Sequence, residues 1–323
     1  MMGFQSRLPS PEEASVFRRY DMKDAPFYYP DTPEIPLPAG HRFPAGKYRL
    51  LRERAVSERL LGRSNLLASP LASREQLLSA HAEVYVDAVI EGSITPAMQK
   101  RIGLPWSQTL VTRSRAAVGG SLAAARSALK FGLSGQLAGG THHAHHDFGS
   151  GFCVFNDLAV TARVLLQENL VGRIAILDLD VHQGDGNASL LTSDKRVFVV
   201  SIHGEKNFPF RKVPSDLDIA LPDGTGDKDY CAAVRDALPR IASFQPDLLL
   251  YISGADPLKA DRLGRLALTL DGLMARDLLV FEFLRNNRLP VSFAMGGGYA
   301  DPVGMTVEGY ANTLRCARSV FEL

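Results

Sequence analysis

The sequence predicts an α/β fold: a central, mostly parallel β-sheet with helices on both faces. Three observations predict it. Strand-like and helix-like runs alternate through the second half of the chain, and such alternation implies parallel strands joined by helical crossovers. Several strand runs are apolar throughout, as in VFVVSI (197–202) and DLLLYI (247–252). Continuous apolar runs suit strands covered on both faces. There is also no composition break, low-complexity linker or internal repeat. We therefore expect one domain over residues 25–323, preceded by an N-terminal extension, 1–24.

The elements follow in order. The extension is polar and charged, with a short helix expected over Pro11–Tyr20 behind Ser10 as cap. A proline-rich surface segment (Pro26 to Pro44) opens with a short PFYY strand. Helical spacing is expected over Gly46–Leu61, a basic stretch, and over Leu77–Ile90. Thr112–Phe131 reads as a helix rich in Ala, Gly and Ser, small enough for close packing. Strands are then expected at 136–138, 173–177, 196–201, 247–252 and 290–295. Helices are expected at 156–168, 228–243, 271–285 and 307–321.

Composition excludes several classes. A formal net charge of +1 gives no bulk attraction to nucleic acid or an anionic membrane surface. No apolar run approaches the ~20 residues that cross a bilayer. The first residues lack the apolar core of a secretory signal. Cys153, Cys231 and Cys316 are too few and too scattered for a disulfide framework or a cysteine-based zinc site. The expected location is the cytoplasm.

The chemistry concentrates in GGTHHAHHDFGSGFC (139–153) and ILDLDVHQGDG (176–186). In the second, Asp178, Asp180 and His182 alternate with Leu179 and Val181, and residues two apart in an extended chain share a face. Burying carboxylates there is costly unless a cation or hydrogen bonds compensate. In open α/β sheets ligands bind beyond the carboxyl ends of the strands. Asp180 and His182, Asp256 (in YISGADP), Gly296–Tyr299, and His142 with His143 all follow strand runs. That convergence favours a metal held by Asp180, His182 and Asp256 over an ordinary hydrogen-bonded pair. Three protein ligands leave a position open for water, as in catalytic zinc sites. Ferrous iron suits the same donors.

Other residues gain candidate roles around that site. His142 or His143 could serve as general base. Each would need its second nitrogen held, and Asp178 and Asp185 are available. Tyr299, after three glycines, could donate to a developing oxyanion. Phe152 and Phe208 could line a slot for an aliphatic chain. His145 and His146 read as an exposed loop.

Together the strings GGTHHA, GFCVFND, DLDVHQGDG, SGADPLKADRLG and MGGGYA resemble, in order, the zinc-dependent histone deacetylase family of the arginase/deacetylase fold. HRFPAGKYRLLRE (41–53) and RIGLPWS (101–107) look like its class IV branch and bacterial relatives. The resemblance implies that Asp180, His182 and Asp256 bind zinc. It implies that His142 is backed by Asp178 and His143 by Asp185, with His143 as base and then acid. Tyr299 would stabilise the oxyanion, the Gly151 carbonyl would accept a hydrogen bond from substrate, and Gly297 would line the pocket. Phe152 and Phe208 would wall an acyl-lysine tunnel. A structural potassium ion is implied behind the zinc, on backbone carbonyls of Asp178, Asp180 and His182 and next to Ser201. The implied substrate is an acyl-lysine protein or peptide, or else an acetylated small amine such as a polyamine. An acyl-lysine binding module without activity is the other class of reading. Three departures stand out: Thr141 where many relatives outside class IV carry a larger or cyclic residue, His145 and His146 in the rim loop, and FPFRK around Phe208 without the family's PGTG continuation.

Overall fold

The computed structural model describes residues 24–323. The helix expected over Pro11–Tyr20 lies outside the described residues. The strands are β1 (Phe27–Tyr29), β2 (Leu66–Ala68), β3 (Leu133–Gln136), β4 (Ile174–Asp178), β5 (Val197–Gly204), β6 (Leu217–Leu221), β7 (Leu248–Ile252) and β8 (Val291–Ala294). They form one sheet in the order β2-β1-β3-β8-β7-β4-β5-β6. Every pair in it is parallel. The helices are α1 (Lys47–Ser57), α2 (Arg74–Leu78), α3 (Glu83–Glu91), α4 (Pro96–Ile102), α5 (Gln108–Phe131), α6 (Asp157–Gln167), α7 (Asp185–Leu191), α8 (Asp227–Phe244), α9 (Leu270–Asn286) and α10 (Gly304–Phe321). No helix among the described residues is long and apolar enough to cross a membrane.

Strand alternation divides the core into two layers. On β4, Ala175 and Leu177 face a cluster that includes Leu51 of α1, Val234 of α8, Phe281 of α9 and Leu314 of α10. Ile174 and Ile176 face the opposite cluster, with Val86 of α3, Val118 of α5, Leu165 of α6 and Leu191 of α7. Both sides of the strand are therefore dry, which is why it reads as an unbroken apolar run.

Helix boundaries follow from their caps. Ser107 accepts from the Leu110 amide, so α5 starts four residues before the expected Thr112, and Gly132 (φ +86°) ends it in the left-handed conformation. The helix expected over Leu77–Ile90 is two helices. Between them the Ala82 amide donates to His146 O (2.8 Å) instead of continuing a helix. His81 lies in the same break. Its Nδ1 donates to His145 O (2.8 Å) and its Nε2 accepts from the Asn156 amide (2.9 Å). The strand expected at 136–138 sits earlier, at Leu133–Gln136, because its register runs Leu133 to Val291 and Gln136 to Ala294. Gly139 (φ +83°) and Gly140 (φ +70°) then turn the chain away.

Candidate functional site

The four middle strands β3, β8, β7 and β4 are neighbours, and the loops leaving their carboxyl ends supply the predicted site. The loop after β3 carries His142 and His143, whose rings sit 4.1 Å apart between centroids. Asp157, first residue of α6, fastens that loop. It accepts from the amides of Gly140 (2.9 Å) and Thr141 (2.8 Å) and from the Thr141 hydroxyl (2.8 Å). Thr141 is thus a hydrogen-bonded turn residue.

The loops after β4 and β7 bring Asp180, His182 and Asp256 together. All three are buried, and one donor atom from each lies within 4.8 Å of the others. His182 Nδ1 is 3.0 Å from Asp180 Oδ1 and 3.2 Å from Asp256 Oδ2. Backbone amides aim the carboxylates: Gly297 N donates to Asp180 Oδ2 (2.6 Å) and Val181 N to Asp256 Oδ1 (2.9 Å). A Cβ on Gly297 would stand 2.0 Å from Asp256 Oδ2 and 2.7 Å from Asp180 Oδ2, so only glycine fits beside them. Two carboxylates converging in a dry site on one imidazole nitrogen are costly without a compensating cation or hydrogen bonds. This donor set fits a divalent metal with an open coordination position.

The two histidines are backed as the sequence suggested. His142 Nδ1 is 2.7 Å from Asp178 Oδ2, and His143 Nδ1 is 2.6 Å from Asp185 Oδ1. Their electrostatics differ. Burial pulls the His142 ring down, but the charges of Asp178 and Asp180 outweigh it and push it up to about 9. Burial and the charge of His142 draw His143 down to about 4, against the pull of Asp185. Burial raises Asp178. Burial opposes the hydrogen bonds of His143 and His145 at Asp185, yet those bonds hold that carboxyl below the usual range.

Tyr299 follows β8. Its ring is 6.3 Å from that of His182 and 5.8 Å from that of Phe152, and burial holds its phenol well above the usual tyrosine range. Phe208 meets His143 edge-on at 4.9 Å. Gly151 (φ +52°) lies where a Cβ would be 2.6 Å from His143 Cδ2 and 3.3 Å from Phe208 Cε1. Phe152, at φ +66°, packs beside His41 and Phe43. His142, His143, Gly151, Phe152, Asp180, Gly297 and Tyr299 line one pocket, and Asp178, Asp185, Phe208 and His182 contact that lining, with Asp256 reaching it through His182. Asp178, last in β4, pairs in register with Ser201 of β5.

Sequence reasoning missed several participants. Lys47, on α1, is wholly buried, donates to Gly298 O (3.0 Å) and lies 4.8 Å from the Tyr299 ring centroid. Asp261 accepts from the Tyr299 amide (2.5 Å). Arg276, buried on α9, donates to Gly254 O (2.5 Å) beneath the Asp256 loop. Lys47 and Arg276 lie far from the site in sequence, whereas Asp261 shares a loop with Asp256, and only the GKY and KADRLG strings marked two of the three. His145 corrects the expected exposed loop: it is mostly buried and bonded to Asp185 (3.1 Å). His146 is exposed, as expected. A larger surface groove, lined by Arg49, Arg59, Arg63 and Arg318, holds none of the predicted residues.

Comparison with known proteins places this arrangement. Residues 41–313 match the histone deacetylase domain. An uncharacterized protein of Picosynechococcus sp. is 42% identical over 295 residues, spanning 91% of this chain and 98% of that protein. Histone deacetylase 2 of Arabidopsis thaliana is 29% identical over 270 residues, 80% of this chain and 70% of the plant protein. The acetoin utilization protein AcuC of Staphylococcus aureus is 29% identical over 284 residues, 80% of this chain and 72% of its own length. The matched span takes in both histidine-bearing loops, the Asp–His–Asp group and Tyr299, and the chain belongs to the histone deacetylase domain family, a family of deacetylating hydrolases.

Proposed function

We propose that the chain removes acetyl or longer acyl groups from lysine side chains, using zinc held by Asp180, His182 and Asp256. One observation carries the reading. Four adjacent strand ends bring a buried Asp–His–Asp group, two Asp-backed histidines and a phenol into one pocket. When bound, zinc supplies Lewis acidity toward the amide carbonyl and makes water nucleophilic near neutral pH.

The chain's own groups supply the rest. His143 Nδ1–H donates to Asp185 Oδ1, so a neutral ring presents Nε2 as the base. It takes a proton from the attacking water and returns it to the amine nitrogen as the C–N bond breaks, and the remaining water proton passes to the amine, leaving a carboxylate and an ammonium. His142, pushed toward the charged form, acts electrostatically. The Tyr299 hydroxyl donates to the developing oxyanion. The Gly151 carbonyl accepts from the substrate amide, and Gly297 keeps the floor clear. Phe152 and Phe208 hold the aliphatic stem. Residues 25–323 act as one catalytic domain, and backbone carbonyls of Asp178, Asp180 and His182 and next to Ser201 would hold a structural potassium ion.

The test is hydrolysis of a fluorogenic acetyl-lysine peptide. Activity should vanish with a chelator and return with zinc, and activity surviving metal removal would sink the reading. Tyr299→Phe should lower kcat by about 10²–10³ while zinc content holds.

A further inference from the structure

The loop that carries His142 and His143 brings a third imidazole to the same carboxylate. Asp185 Oδ1 meets His143 Nδ1 at 2.6 Å, and Asp185 Oδ2 meets His145 Nε2 at 3.1 Å. Among the described residues, these two rings are that side chain's hydrogen-bond partners. An ionised carboxylate only accepts, so each facing nitrogen carries a proton.

His145 is fixed on every side. Its Nδ1 lies 2.8 Å from Ser189 Oγ, and Ser189 Oγ lies 3.1 Å from Gly186 O. If Ser189 donates to Nδ1, the ring is neutral. If Ser189 turns to Gly186 O, Nδ1–H donates to it and the ring is charged. His145 Nε2–H donates to Asp185 Oδ2 in both arrangements. Phe148 stacks on the ring at 4.4 Å and 22°, with the Arg101 guanidinium 3.3 Å from the Phe148 centroid. The backbone is held too, by His145 N to Phe148 O (2.8 Å) and by His81 Nδ1 to His145 O (2.8 Å). A ring this constrained gives its carboxylate partner little freedom.

From this geometry we propose that His145 is a positioning residue: it anchors the free oxygen of Asp185 and so aims His143 Nε2 into the pocket. The inference rests on the reading of His143 as base. It also names an occupant for a position where the sequence showed only a histidine-rich rim.

The test compares His145→Leu with His145→Gln in the zinc-loaded full chain. Leucine fills the space without a donor, whereas the glutamine amide can reach the same oxygen. His145→Leu should lower kcat by roughly 10–100-fold with KM little changed and zinc content intact, and His145→Gln should recover most of it. The downfield proton signal of His143 Nδ1–H, read in protein with 15N-labelled histidine, should move in the leucine variant and stay in the glutamine variant. Wild-type kcat in His145→Leu, or an unmoved signal, would overturn the proposal. Full turnover in His143→Ala would instead overturn the base assignment, and the proton signal of His145→Leu separates the two failures.

Discussion

The two histidine–aspartate pairs are chain neighbours with opposite surroundings. Asp178 ends a central strand and is wholly buried, and its second oxygen accepts from the Asp180 amide at 3.2 Å. Asp185 opens α7 and is slightly less buried, and its second oxygen is held by the His145 side chain. One pair is set into the sheet, and the other is assembled from loop side chains. The His142 ring is pushed toward charge by two carboxylates, while the His143 ring is kept neutral by burial and by His142 itself. Adjacent titratable groups driven apart in this way divide the labour of acid–base chemistry. A cation bound at Asp180 would remove part of the push on His142 and leave the Asp178 part.

Activity gives the largest expected contrast. His143→Ala should lower kcat by about 10³–10⁴, within the range for a lost general base, and His142→Ala should cost on the order of 10–10². Equal losses in steady-state assays would erase the division between the pairs.

Stability should invert the ranking. Asp178→Ala strips a partner from a fully buried pair and should cost about 3–5 kcal/mol. Asp185→Ala leaves the facing ring nitrogens of His143 and His145 without their acceptor and should cost about 1–3 kcal/mol. Urea unfolding of the metal-free variants at pH 7 measures both, and a costlier Asp185→Ala would break the comparison.

The most gradual effect is a pair of opposed pH slopes in the metal-free protein. His81 is buried and drawn down to about 4, so the unfolded chain binds its proton first as pH falls below about 6.5. Stability should therefore decline between pH 6.5 and 4, by about 3 kcal/mol from this ring. His142 has the reverse sign. Its raised folded value of about 9 gives stability that is complete below about 6.5 and lost as pH climbs through 9. His143 and His203, also drawn down to about 4 by burial, lower stability over the same range, so His81→Gln should make the acid slope shallower and leave the alkaline one. An unchanged acid slope would remove His81 from the account.

Much of the fold was legible. β4, β5 and β7 lie between two apolar layers, so their runs announce themselves without alternation. Asp180, His182 and Asp256 were legible as polar residues just past such runs. The edge strands β2 and β6 escaped notice because each is short and partly exposed. The Leu77–Ile90 spacing hid a break because its cause lies at His145 O, His146 O and Asn156 N, all distant in sequence.

The sequence by itself determined the layers and the strand ends at which chemistry collects. Burial patterning and local propensity are encoded within a few residues of where they act. Only the tertiary structure decided which carboxylate meets which ring, that His145 joins Asp185, and that Lys47 lies buried beside Tyr299. Those pairings depend on directions and distances across strands far apart in the chain, and a hydrogen bond forms only where both are met.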